Sequence, residues 1–161
     1  MRNILVVVLT FAGFALAASQ DWSLSISGDV RNPMVLGKKE FSGLPHTKFT
    51  TTNRKGATTE YDGVSLLYLL EQAGAPLGDS VEGKNLTWYL QAEATDGYEV
   101  IFALPEIDTS FTQHSVYVAD GKNGGSLDSN AVPLMLVVPY EQRHGRWIRH
   151  LTTLRVLRSE P

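Results

Sequence analysis

The first pattern along the chain is an uncharged apolar run, Ile4 to Leu16, preceded by Arg2 and closed by the small residues of Ala15-Leu16-Ala17-Ala18-Ser19. A basic start, a short apolar core and an A-x-A-like end make a secretory signal peptide, predicted at 1–18. The run is short of the roughly 20 apolar residues that span a bilayer, and Asp21 follows at once. An uncleaved anchor is the alternative. With the leader removed, residues 19–161 are expected to form a single domain, periplasmic or secreted, with no stable membrane insertion.

From there the apolar period changes. Leu24-Ser25-Ile26-Ser27-Gly28-Asp29-Val30 alternates with period two, as a half-buried strand does, and Asn32-Pro33 turns the chain. Phe41-Ser42-Gly43-Leu44-Pro45 ends a short helical turn. Lys48 to Thr52 and Thr58 to Tyr61 are strand-like, the second meeting Asp62-Gly63. A helix is predicted from an N-cap at Ser65 through Leu66, Leu67, Leu69 and Leu70 to Ala73, stopped by Gly74 with Pro76 beyond. Leu86 to Glu93 predicts a strand, joined through Asp96-Gly97 to Tyr98–Phe102 as a hairpin. Val116–Val118 is another strand, and 121–130 is a polar, glycine-rich loop. Leu134–Val138 is continuously apolar, hence a buried strand, and Thr152–Leu157 alternates again and would close the domain. The sum is an α+β fold, β-rich, with mixed sheets and a few short helices.

Composition narrows the chemistry. There are no cysteines, so disulfides, thiolate metal sites and a thiol nucleophile are excluded together. Without Arg2 the chain carries 13 basic against 17 acidic side chains, a formal charge of −4, which does not suit a general nucleic-acid binder. No G-x-S-x-G is present, and the serines read as caps and loop residues. His46, His114, His144 and His150 are scattered without metal-ligand spacing, so no metal site is assigned from side chains. No catalytic residue is assigned either. Tyr98, at a strand start, can point its phenol into a cleft.

The cations are unevenly spread. Four of the eight arginines, Arg143, Arg146, Arg149 and Arg155, fall within Val137–Val156, whose only acid is Glu141. The spacing of three puts Arg143, Arg146 and Arg149 on one face of a helical turn, with Trp147 and Ile148 toward the core. Guanidinium groups so held suit a phosphate, sulfate or carboxylate. The competing possibility is that they pair with surface acids such as Glu141 and Glu160 or are simply solvated.

Five motifs in order resemble the molybdopterin-binding domain of sulfite-oxidase-type oxidoreductases. They are Leu24–Pro33 (LSISGDVRNP), Tyr61–Leu70 with Ala73-Gly74, the D-G-Y hairpin within Ala94–Val100, Pro133–Pro139 (PLMLVVP), and Arg146-Trp147-Ile148 with Leu151. The resemblance covers nearly all of the chain after the leader. It implies a compact α+β domain with a pocket for a pyranopterin whose dithiolene holds molybdenum, and a cysteine thiolate on the metal. The corresponding segment here, Phe49–Gly56 (FTTTNRKG), holds no cysteine. Asn53, Arg54 and Gly56 keep part of that loop. The family's later basic positions, facing the pterin phosphate and the anionic substrate, correspond to Arg146 and Arg143.

The leader also lacks the paired arginines that mark export of proteins already folded around a cofactor. Both departures lead to one expectation: an exported domain without competent molybdenum. It would bind a small anion or a partner's acidic segment through Arg143, Arg146, Arg149, Arg54, Tyr98, Asn53 and His144. The alternatives are a genuine molybdopterin oxidoreductase with an atypical ligand set and a ligand-free accessory domain.

Overall fold

A computed structural model describes residues 21–159, so the predicted leader lies outside the described residues. In chain order the elements are β1 (Ser23–Gly28), β2 (Met34–Gly37), α1 (Lys38–Ser42), β3 (His46–Thr52), β4 (Thr58–Ser65) and α2 (Leu66–Ala73). They continue with β5 (Trp88–Ala94), β6 (Glu99–Ala103), β7 (Tyr117–Lys122), β8 (Gly125–Ser126), β9 (Met135–Val137) and β10 (Leu151–Arg158). Short 3-10 turns at Gly78–Ser80, Gly83–Thr87, Leu104–Glu106 and His144–Arg146 join them.

One sheet has the order β2-β1-β10-β5-β6; the other runs β3-β4-β7-β8, with β9 also paired to β7. The architecture is the predicted mixed α+β fold. Alternating residues of both sheets meet in one core: Leu24 and Ile26 of β1, Leu90 and Ala92 of β5, Leu154 and Val156 of β10, and Val64 and Val118 of the second sheet are all fully buried.

Helix α2 follows its sequence signals closely. The Ser65 hydroxyl accepts from the Tyr68 N–H, and Gly74 closes the helix in the left-handed conformation at φ 70°. Leu66, Leu69, Leu70 and Ala73 face inward with no exposed surface. Burying each leucine contributes about 1.5–3 kcal/mol.

Two expectations are corrected. The strand predicted from Leu86 begins at Trp88, because Gly83–Thr87 closes a 3-10 turn first. Asp62-Gly63 ends nothing: β4 runs through to Ser65, and Gly63 lets it lie against β7, since a Cβ there would stand 2.3 Å from the Val118 oxygen. The strand expected at Thr152–Leu157 is present as β10 and ends the described fold. β10 sits in the middle of its sheet, parallel to β1 and antiparallel to β5, which is why Leu151, Leu154 and Val156 are all buried.

Candidate functional site

The expected site residues lie where the β3–β4 hairpin tip, the β5–β6 hairpin tip and the loop from Val138 to His150 converge. Each is placed by local chemistry. The Asn53 side-chain oxygen accepts from the Lys55 and Ala57 N–H groups at 2.9 and 3.0 Å, which shapes the β3–β4 turn and lifts Arg54 and Lys55 outward. The Arg54 Nε donates to the Gln142 carbonyl at 3.3 Å, drawing the long loop beside the hairpin. Trp147 anchors that loop: its indole is buried and donates to the Val138 carbonyl at 3.0 Å. The His144 ring stacks on it with centroids 3.7 Å apart.

Arg143, Arg146 and Arg149 do not share a face. Only His144–Arg146 forms a turn, and Arg143 and Trp147 on either side are extended. The cause is tertiary: the Leu136 N–H donates to the Ile148 carbonyl and Met135 bridges Arg149, so the chain after the turn is pulled alongside β9. Trp147 and Ile148 do face the core as expected.

The three arginines therefore diverge. Arg143 joins Asn53, Arg54, Lys55, Gln142 and His144 around a groove of about 550 Å³ with no carboxylate in its lining among the described residues. Arg149 lines a second cleft of about 420 Å³ with Asp96, Tyr98, Asn130, His144 and His150. Neither side chain makes a hydrogen bond or ion pair among the described residues. Arg146 is occupied internally. Its Nε donates to Glu141 at 2.6 Å, its Nη1 lies 2.9 Å from Glu106, and its guanidinium lies 4.3 Å above the Phe102 ring. Burial alone would lower its pKa, but the bonds to Glu141 and Glu106 outweigh that and hold it above the ordinary value. The pairing with Glu141 is the alternative raised from the sequence; Glu160 lies outside the described residues.

Tyr98 is half exposed in the lining of the second cleft, and its phenol donates to the Gly145 carbonyl at 2.6 Å, fastening the loop to the β5–β6 hairpin. His144 lines both concavities and is the point where they adjoin. Sequence reasoning missed Lys55 and Gln142, which complete the groove, and Glu106, the second acid on Arg146. Lys55 was detectable as the neighbour of Arg54; Glu106, 40 residues from Arg146, carried no local signal. A further cleft, about 770 Å³ near Trp88, mixes Asp29 and Glu71 with Arg31 and holds none of the expected residues.

No protein-family model matches the chain, and no curated protein matches it. A solved structure does: the sulfane dehydrogenase SoxCD from Paracoccus pantotrophus superposes with a TM-score of 0.63 at 22% identity over 84% of this chain. The likeness is one of fold. The architecture resembles sulfite-oxidase-family structure. The chain spans 38% of the length of that neighbour.

The side chains here do not fit the metal group that the resemblance implies. The sequence supplies no thiolate. In Phe49–Gly56, the Asn53 oxygen is spent on its own turn, and Thr51 offers only a hard hydroxyl. Among the described residues no three His, Asp or Glu side chains are grouped to hold a metal ion. Arg146, matched by resemblance to the pterin phosphate, already faces two carboxylates. Among the described residues no helix is long and apolar enough to cross a membrane.

Proposed function

We propose that the protein is an exported domain of sulfite-oxidase architecture that works without molybdenum, as an anion-binding module. Its site is the groove formed by Arg54, Lys55 and Arg143, with His144 at the rim and Arg149 in the adjoining cleft. One observation carries the reading: three cations line a single concavity of about 550 Å³ with no carboxylate among them, while Arg146 has its own acids. Guanidinium forks suit oxoanions and carboxylates because they donate in pairs along a matching plane. An exposed cluster of like charges carries a standing repulsion that a bound anion relieves. The occupant is a sulfate, a phosphate, a small carboxylate, or the carboxylates of a partner protein.

The test is calorimetric titration of the mature protein with sulfate, phosphate and acetate, repeated on Arg143→Ala and Arg54→Ala. A ligand at a hundred times its Kd stabilises by about 2.7 kcal/mol, so a thermal shift of several degrees should accompany binding. Absence of binding by all three anions, or binding unchanged in both variants, rejects the groove. Metal analysis of protein taken from its native compartment checks the other half of the proposal. Stoichiometric molybdenum there would overturn it.

A further inference from the structure

The two sheets present edges of different kinds. On β6, the Ala94 N–H donates to the Tyr98 carbonyl in the register that pairs Ala92 with Val100. Alternate residues, Glu99, Ile101 and Ala103, therefore turn their backbone groups away from β5. Two of those groups are already taken. The Ile101 carbonyl accepts from Arg146 Nη1 at 3.4 Å, and the Ala103 N–H donates to Glu106 at 3.1 Å. The ion pair that occupies Arg146 also plugs this edge.

The same alternation on β3 starts from the Asn53 N–H donating to the Ala57 carbonyl, in the register that pairs Phe49 with Tyr61. It aims the backbone groups of Thr47, Phe49 and Thr51 at β4. Those of Lys48, Thr50 and Thr52 turn outward. Strand β3 is the last in its sheet, and among the described residues no hydrogen bond reaches those outward groups. The Lys48 ammonium, which could have guarded the edge, is held by Glu60 at 3.1 Å. The strand leads straight into the Asn53-Arg54-Lys55 turn that forms the basic groove.

We infer that β3 accepts an extended acidic segment of a partner protein as an added strand, with the segment's carboxylates seated against Arg54, Lys55 and Arg143. The inference rests on the groove assigned above and names its occupant. Backbone pairing supplies the affinity and the charges at one end fix the register. A second copy of this chain is a poorer match, because it would bring another Lys48 and another Arg54-Lys55 tip to the same edge.

The probe is a fluorescein-labelled synthetic peptide of about seven alternating Thr and Val residues, long enough to cover β3, with aspartates at one end. It is made in both chain directions. One direction should bind the mature protein and protect the Lys48, Thr50 and Thr52 amides from hydrogen exchange. Thr50→Pro removes an outward donor where an edge strand tolerates proline, and should weaken the peptide by about tenfold or more. Thr50→Ala should bind the peptide like the wild type, and sulfate titration of Thr50→Pro should be unchanged. Equal peptide affinity in Thr50→Pro, or no protection of the three amides in the wild type, overturns edge pairing while leaving the groove intact. Sulfate and peptide both failing to bind removes the groove as well. Self-association that is lost in Thr50→Pro would give the edge to a second copy and overturn the inference. If Thr50→Pro does not fold, the amide protection in the wild type decides alone.

Discussion

Arg143 and Arg146 sit three residues apart on one loop, and their surroundings give them opposite employment. The Arg146 side chain is 30% exposed, lies over Phe102 and is matched by Glu106 and Glu141. Arg143 is exposed, lines a groove with Arg54 and Lys55, and makes no ion pair among the described residues. Identical side chains thus serve the fold in one case and make no ion pair among the described residues in the other. The difference is made by one carboxylate on the same loop, Glu141, and one 40 residues away, Glu106, and the spacing of the arginines does not reveal it. Charge in a loop indicates function only after the internal partners have been subtracted.

The largest expected effect breaks the internal half of that contrast. Arg146→Ala leaves Glu141 unpaired at 17% side-chain exposure and uncovers Phe102. The expected loss is about 2–3 kcal/mol, read from the urea midpoint at unchanged slope. Arg146→Lys should recover only part of it, because an ammonium cannot reproduce the fork that spans two acids. An unshifted midpoint for Arg146→Ala would show that the pair is incidental.

Asp108 supplies a control in which a carboxylate is held by backbone and not by a guanidinium. It is 3% exposed and accepts from the Gly78 N–H at 2.5 Å and the Ser110 N–H at 2.8 Å. Burial would raise its pKa; the hydrogen bonds from Gly78 and Ser110 overcome that and hold it below the ordinary value. A depressed folded pKa contributes stability above the unfolded value, about 3.9, which is lost as pH falls through the folded value. Asp108→Asn should therefore cost about 1–2 kcal/mol at neutral pH and flatten the acid limb below about pH 4. The Arg146→Ala protein should keep the Asp108 part of that limb. Parallel stability–pH curves for wild type and Asp108→Asn would contradict this assignment.

Arg143→Ala tests the external half. With no partner to lose, its urea midpoint should stay within about 0.5 kcal/mol of the wild type. Anion affinity should fall about tenfold, roughly 1.4 kcal/mol, and the salt dependence of binding should become shallower. A variant that loses stability but not affinity would reverse the assigned roles of the two arginines.

The fold was legible where local pattern and tertiary environment agree. The Ser65 cap, the Leu66–Ala73 face and Gly74 gave α2 to the residue, and the apolar run around β9 announced a buried strand. What was not legible depended on pairing between distant segments. The central position of β10 needs β1 and β5 on either side, and nothing in Thr152–Leu157 says so. The passage of β4 through Asp62-Gly63 depends on the close approach of β7, a demand that looks like a turn in the sequence. At the site, the sequence placed seven residues together, and of these Asn53, Arg54, Arg143 and His144 line one groove; the fate of Arg146 depended on Glu106, and the helical spacing of three was overridden by the bridge from Met135 to Arg149.

The smallest predicted effect separates holding the loop from touching the ligand. The Tyr98 phenol donates to Gly145 between His144 and Arg146, so it can influence the groove only through where that turn sits. Tyr98→Phe removes one hydrogen bond from a carbonyl that water can reach, since Gly145 is exposed, and should cost about 0.5–1 kcal/mol. If Tyr98 acts by placement, sulfate affinity should fall by about twofold, well short of the Arg143→Ala loss. Phe at this position keeps the ring on the hairpin tip, so packing is held constant in the comparison. A drop as large as that of Arg143→Ala would make the phenol itself a ligand, and the 420 Å³ cleft, with Arg149 and His150, would then replace the groove as the primary anion site.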